Sequence, residues 1–238
     1  TNNVTAASLT ANSATGVDLD TTITTLTAAD VSGTGVIDIS NTGALGVTSA
    51  TTNNGNTTLS AVGGSLTVAA STAGTSGNIL FTADDIDLTG NIVGTGTITL
   101  RSESVLQDIV LGGTGSTAAL DLTTTELSKL VDGFSDITIG RVADGTGTIT
   151  VAGATSVNDN LTLVGGSIVS SGAITSNNNT VTLTARTGAI TDSNSVTNNV
   201  TAASLTANSA TGVDLDTTIT TLTAADVSGT GVIDISNT

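Results

Sequence analysis

The chain contains no cysteine, proline, methionine, tryptophan, tyrosine or histidine, and only two phenylalanines, Phe81 and Phe134. Each absence removes a class of chemistry. Without cysteine there is no disulfide framework, and without cysteine or histidine there is no thiolate or imidazole metal site. The same gaps exclude Cys-His and Ser-His-Asp nucleophiles. With so few aromatics there is no stacking platform for bases or sugar rings. Positive charge is also scarce: 4 Lys and Arg stand against 20 Asp and Glu, a net −16. A field of that sign repels phosphate backbones and anionic headgroups, so neither nucleic acid nor a membrane surface is an expected partner. The acidic groups are dispersed, which fits solubility and suits a calcium-rich exterior. No run reaches the roughly 20 apolar residues of a membrane span. No basic, apolar signal peptide opens the chain. A start at Thr1 without any methionine reads as a segment of something longer.

What is present is polar, small and β-forming. The 238 residues include 52 Thr, 28 Gly, 25 Ser and 19 Asn. Val, Ile, Leu and Ala recur throughout and the mean hydropathy is +0.33, which argues against a disordered chain.

Residues 1–42 and 197–238 are identical letter for letter. The chain is therefore one repeat unit, 1–196, and the start of the next, 197–238. A period that long points to repeat architecture. Inside it, short segments alternate apolar and polar residues, as in Thr58–Val62, Ile79–Ala83, Ile98–Arg101, Ile149–Ala152, Leu161–Val164 and Val181–Thr184. That two-residue period marks strands with one buried face. Leucines serve as markers of a shorter period. Leu59, Leu80, Leu100 and Leu122 follow one another at near-equal steps, as do Leu163, Leu183 and Leu205. The step from Leu122 to Val151 is longer, which signals an insertion, and the short step from Val151 to Leu163 breaks the register.

This pattern predicts an all-β chain, 1–238, forming one continuous, elongated parallel β-solenoid of about 20–22 residues per coil. The narrow stacked core takes Val, Ile, Leu, Ala and Thr. Asn and Thr form side-chain ladders, and Gly supplies positive-φ corners. Proline would remove a ladder donor, which accounts for its absence. A β-sandwich is the competing all-β fold, but it calls for larger aromatic core residues and more varied strand spacing.

The extra residues at 123–133 predict one short helix near 124–132. Thr124 or Thr125 serves as N-cap, Leu127, Leu130 and Val131 form the apolar face, Gly133 is the stop, and Phe134 is a plug beneath. Over residues 122–151 this stretch, with Gly133–Arg141 and Asp144–Val151, resembles an element of filamentous-haemagglutinin-like giant bacterial surface proteins. The resemblance over the rest is compositional. It implies an exported, Gram-negative-type adhesin stalk built on a β-helix; no export or tip domain accompanies it in this sequence.

No residue qualifies as catalytic, cofactor-binding or metal-ligating. Asp84, Asp85 and Asp87, with Asn91, are the densest oxygen donors, and calcium is the cation they would suit. EF-hand spacing and the GGxGxD pattern are both absent, so a solvated acidic face is the preferred reading. Arg101 with Glu103 is the one compact basic–acidic combination in the strands, too little for a lyase or hydrolase, so an enzyme is not expected. Thr-x-Thr pairs at Thr22/Thr24, Thr25/Thr27, Thr97/Thr99, Thr148/Thr150 and Thr180/Thr182/Thr184 raise an ice-binding surface. Their spacing is irregular, and threonine as a strand former explains them. Asn-x-Thr sequons stand at Asn3, Asn56, Asn160, Asn178 and Asn199. Gly94-Thr95-Gly96 and Gly145-Thr146-Gly147 read as turns, since no phosphate-binding helix follows.

The expected role is mechanical: a structural stalk, fibre or filament on a bacterial surface, serving attachment. The expected partner is the protein itself, by tandem or head-to-tail stacking. The alternative is a lateral binding module for a glycan, a partner cell or an ice surface.

Overall fold

The computed structural model describes residues 3–74, 76–116, 119–194 and 198–238. The first residue of the second repeat, at 197, therefore lies outside the described residues. The fold is an all-β parallel β-solenoid, 62% strand, with about 11 turns in total. The chain forms two compact units, Thr1–Glu103 with Lys129–Asp136, and Ser104–Ser128 with Ile137–Thr238.

The first unit carries β1 (Val4–Ser13), β2 (Val17–Val31), β3 (Ile37–Thr42), β4 (Leu45–Val47), β5 (Ala50–Thr52), β6 (Thr57–Val68), β7 (Ser71–Ala73), β8 (Ile79–Leu88), β9 (Ile92–Val93) and β10 (Thr97–Ser102). All pairings are parallel and fall into three columns. The first runs Val17, Ile37, Thr57, Ile79, Ile98, one position per coil. The second runs Leu26, Val47, Val68, Leu88. The third runs Ala29, Ala50, Ser71, Ile92 and ends on a bridge from Ile92 to Leu130. Inward residues alternate along each strand, and Ile39, Leu59, Phe81 and Leu100 stack at 0% exposure.

The second unit carries β11 (Ile109–Leu111), β12 (Leu120–Leu122), α1 (Thr124–Leu127), β13 (Asp136–Gly140), β14 (Thr148–Val151), β15 (Thr155–Ser156), β16 (Leu161–Gly165), β17 (Ser167–Ser170), β18 (Ile174–Ala185), β19 (Ile190–Asp192), β20 (Val200–Ser209), β21 (Val213–Val227) and β22 (Ile233–Asn237). It too has three columns. One runs Ile137, Leu161, Val181, Leu205, Leu222. Another runs Ile109, Ile149, Ile168, Ile190, Val213, Ile233. The third runs Thr155, Ile174, Val200, Thr217, Asn237.

Several sequence markers fall in different places from those expected. Leu59 pairs with Phe81, while Leu80 pairs with Thr58 and is half-exposed. A one-residue slip exchanges the inside and outside of a strand, and counting leucines does not register it. Leu205 likewise pairs with Val181, not Leu183. Leu122 flanks Leu111 on one side while Val151 flanks it on the other. Val151 and Leu163 occupy different columns, so the short step between them is passage around one coil.

The helix is shorter than expected. Its N-cap is Thr123, closed by a capping box with Glu126, and Ser128 is the C-cap. Leu130 and Val131 leave the helical face. Lys129 O accepts from Ile92 N (2.9 Å) and Val131 N donates to Ile92 O (3.0 Å), so 129–131 satisfy the edge of β9. Phe134 is 4% exposed. Its ring lies against Gly94, where a Cβ would meet it at 2.8 Å.

Glycine does more than turn corners. Gly43 (φ 89) and Gly63 (φ 71) use positive φ as expected. Gly35, Gly55, Gly77 and Gly96 instead stack corner on corner. A Cβ on Gly55 would lie 1.8 Å from Gly35 O, and one on Gly77 2.0 Å from Gly55 O. No side chain fits between these layers.

Candidate functional site

In the acidic group at Asp84–Asn91, Asp85 and Asp87 share one face of β8 on either side of the buried Ile86. Asp85 is 8% exposed beside Ser65, and Asp87 Oδ2 accepts from Thr67 Oγ1 at 3.2 Å. Asn91 is exposed in the turn. Among the described residues, no three Asp or Glu side chains form a group that could hold a metal ion.

Arg101 turns to the preceding coil and Glu103 to the coil before that. Arg101 Nε donates to Thr82 Oγ1 (3.0 Å), while Glu103 Oε2 accepts from Gly63 N (2.6 Å). Both hydrogen bonds tie coils together.

A different acidic feature emerges from the register. Asp18 lies directly opposite Asp38 with Asp20 nearby, and the second copy repeats this with Asp214 opposite Asp234. Asp38 is pushed up from its ordinary value by partial burial first, then by Asp18 and Asp20. Asp214 is pushed up by partial burial, then by Asp234, Asp192 and Asp216. The sequence signal was available, since Asp18 and Asp38 stand one coil apart. Like charges opposite each other destabilise a ladder modestly.

Two of the four cations hold one loop. Arg141 pairs with Asp144 at 2.8 Å through both Nε and Nη2, and Arg186 donates to Val142 O (2.5 Å) and Ala143 O (2.7 Å). Asp121, 4% exposed, anchors another loop by accepting from Gly115 N (3.0 Å) and Ser116 N (2.8 Å). These are structural clamps.

Asparagines form ladders as the composition suggests. Asn56 Oδ1 accepts from Asn78 N (2.9 Å), and Asn78 Oδ1 accepts from Thr97 N (2.8 Å). Asn160 Oδ1 accepts from Thr180 N (2.9 Å). Of the sequon asparagines, Asn3, Asn56 and Asn178 are exposed, Asn160 is half-buried, and Asn199 is 0% exposed. Burial closes Asn199 to any glycosylating enzyme in the folded chain. Threonine forms a short rank at Thr175, Thr201 and Thr218 and a longer one at Thr138, Thr162, Thr182 and Thr206. The other predicted pairs extend neither: Thr99 opposes Leu80 and Thr150 opposes Val169.

Two open depressions in the second unit, about 180 and 240 Å³, are lined by Thr184, Arg186 and Asp226, and by Asn177, Asn178 and Thr218 among others. Both are below the usual size of small-molecule sites. Among the described residues, no helix is long and apolar enough to cross a membrane.

The most distinctive surfaces are the two copies of the repeated segment, 1–42 and 197–238. Their internal geometry matches. Val4 pairs with Thr21 as Val200 pairs with Thr217, and the bulge after Leu9 recurs after Leu205. Asn41 Oδ1 accepts from Thr21 Oγ1 (2.9 Å) and Ile23 N (2.8 Å), as Asn237 Oδ1 accepts from Thr217 Oγ1 (3.0 Å) and Ile219 N (2.9 Å). Their surroundings differ. Leu205 and Val200 are 0% exposed under β18, whereas Leu9 and Val4 are only half-buried. Conversely, Leu26 and Ile37 are 0% exposed, but Leu222 and Ile233 are each 45% exposed. No protein-family model, curated protein or solved structure matches the chain.

Proposed function

We propose that this chain is a structural repeat segment of an extracellular bacterial surface protein, a stalk, fibre or filament that serves attachment. One observation carries the reading. The sequence of residues 1–42 recurs at 197–238 and folds into the same layer twice, down to the same bulge and the same asparagine bridge. A sequence repeat that is also a structural repeat is what an element of adjustable length requires.

Its action is geometric. Backbone hydrogen bonds run from coil to coil, each coil covers its neighbour's open edge, and stacked Ile, Leu and Val hold the coils in register. Charged side chains such as Glu103, Arg141 and Arg186 are engaged in coil ties and loop clamps, which supports a mechanical role. The resemblance of residues 122–151 to filamentous-haemagglutinin-like proteins supports the surface assignment. The partner in this reading is the protein itself, as further tandem repeats or head-to-tail copies.

Electron microscopy of the native assembly tests the reading, with rods of regular axial repeat as the expected result. A compact particle roughly 40–45 Å across, the size of an ordinary globule of this length, overturns it. Binding of the purified chain to partner cells, without rods, would favour a lateral binding module.

A further inference from the structure

Residues 177–179 are three asparagines that leave the ladder in the middle of β18. Ser176 pairs with Ala202 and Thr180 with Ser204, so the three stand opposite one residue, Ala203, and bulge out of the sheet. The registers with β15 and β16 pass over them as well. Asn179 pins the bulge, its Nδ2 donating to Asn158 O (2.6 Å) and Asn177 O (3.1 Å). Asn178 is the middle residue. Its φ of 64° is the one left-handed backbone among the described non-glycine residues, a conformation that asparagine tolerates. Its side chain is exposed, and among the described residues no hydrogen bond holds it. Coils lie on both sides, β16 and β20, so this exposure is lateral. The open depression of about 240 Å³ beside it leaves room for a bulky substituent.

Asn178-Asn179-Thr180 is also a sequon, and the structure sets it apart from the others. Asn56 and Asn160 have their amide oxygens engaged by Asn78 N (2.9 Å) and Thr180 N (2.9 Å). Asn199 is 0% exposed, with Oδ1 accepting from Asp216 N (2.9 Å) and Nδ2 donating to Asp192 Oδ1 (3.2 Å). Only at Asn178 do exposure, a free amide and a backbone outside the ladder coincide.

We propose that Asn178 is a glycan attachment site, an assignment that goes beyond the mechanical reading and does not depend on it. The co-substrate is a sugar activated on its phosphate. A bond forms from Asn178 Nδ2 to the anomeric carbon while the bond from that carbon to the phosphate oxygen breaks. The amide gives up one proton, and the phosphate leaves with the electron pair. An amide nitrogen attacks only when it turns out of conjugation with its carbonyl, so the side chain must be free to rotate. The ladder amides of Asn56 and Asn160 must first break a hydrogen bond, whereas Asn178 breaks none. Thr180 Oγ1, which completes the sequon, lies on the outer face 2.8 Å from Ser204 Oγ, a hydroxyl contact that a transferase can replace.

Peptide mapping by mass spectrometry of the chain from its natural source is the first test. Sugar is expected on Asn178 and not on Asn199. A single sugar indicates a nucleotide-activated donor and a block of several a lipid-carried one, and both support the site. Sugar confined to other asparagines, or none, overturns the proposal.

The second test asks whether the fold makes the selection. The folded chain is incubated with UDP-glucose and an asparagine-specific glucosyltransferase chosen because it modifies an isolated peptide of residues 174–184. Asn3→Gln is built in, because Asn3 is the counterpart of Asn199 without the cover of β18. Each site's rate is divided by that of its own isolated peptide. The ratio for Asn178 is expected to exceed those for Asn56 and Asn160 on the order of 10-fold, the effect of one amide hydrogen bond. Asn178→Gly, which keeps the left-handed turn, and Thr180→Val, which keeps the asparagine, should each abolish labelling at the bulge. Equal ratios at the three sites, or labelling of Asn178 that survives Thr180→Val, overturns the proposal.

Discussion

Replacing the same leucine with alanine in the two identical copies, 1–42 and 197–238, should give unequal losses of stability, and the inequality should reverse between two positions. Leu26 is 0% exposed and Leu222, its counterpart, 45% exposed. A fully buried leucine costs about 2–5 kcal/mol on truncation to alanine, the sum of lost transfer energy and the cavity left behind. At Leu222 nearly half the side chain already meets water and no closed cavity forms, leaving about 1 kcal/mol of transfer energy. Leu26→Ala should therefore exceed Leu222→Ala by about 1–4 kcal/mol. At the other pair the order inverts, because Leu205 is 0% exposed and Leu9 half-buried. Leu205→Ala should be the costly change and Leu9→Ala the mild one. Amide hydrogen exchange is the suitable assay, since two compact units need not unfold in one transition and local opening energies are read strand by strand. Protection of 17–31 and 213–227 reports the first pair, and protection of 4–13 and 200–209 the second. If one copy proves the more sensitive at both positions, the difference belongs to that copy's general stability and the layer-by-layer account is refuted.

Gly55→Ala should destabilise the first unit by about 1–3 kcal/mol in chemical denaturation, because the new Cβ would lie 1.8 Å from Gly35 O and the stacked corners must part. Asn41→Ala should cost about 1–3 kcal/mol by stranding Ile23 N and Thr21 Oγ1 in the core, while Asn237→Ala at the exposed counterpart should cost much less, by the same exchange assay. Asp38→Asn should stabilise at neutral pH by about 0.2–0.5 kcal/mol, a small figure because the group is exposed. The folded carboxyl is raised above its ordinary 3.8, so its protonated form is favoured on folding. The associated stability is fully present below 3.8 and lost as pH rises through the raised folded value. The gain of the variant over wild type should thus shrink as pH falls through the raised folded value, level off below 3.8, and weaken with added salt; a gain independent of pH would refute the electrostatic cause.

The class of fold was readable because it is written in one dimension. Alternation of period two marks strands, a spacing near 20 marks coils, and the absence of proline keeps every ladder donor. The identity of 1–42 with 197–238 declares a repeat whatever its shape. The acidic ladder was equally accessible, since Asp18 and Asp38 stand one coil apart, whereas the denser Asp84–Asp87 cluster read as a solvated acidic face.

What remained depended on the length of each turn. Phe81, and not Leu80, enters the core because a single residue of turn length decides which face points inward. Leu130 becomes a bridge to Ile92 instead of a helical residue because an open strand edge nearby needs its backbone groups. The glycine column at Gly35, Gly55 and Gly77 is imposed by the closeness of successive corners, which no local propensity encodes. The repeated segment gives the clearest division. Its sequence determined the strands, the bulge and the asparagine bridge, and these appear in both copies alike. Burial of Leu26 and exposure of Leu222 were decided by the layers above and below, because identical sequences cannot specify different surroundings.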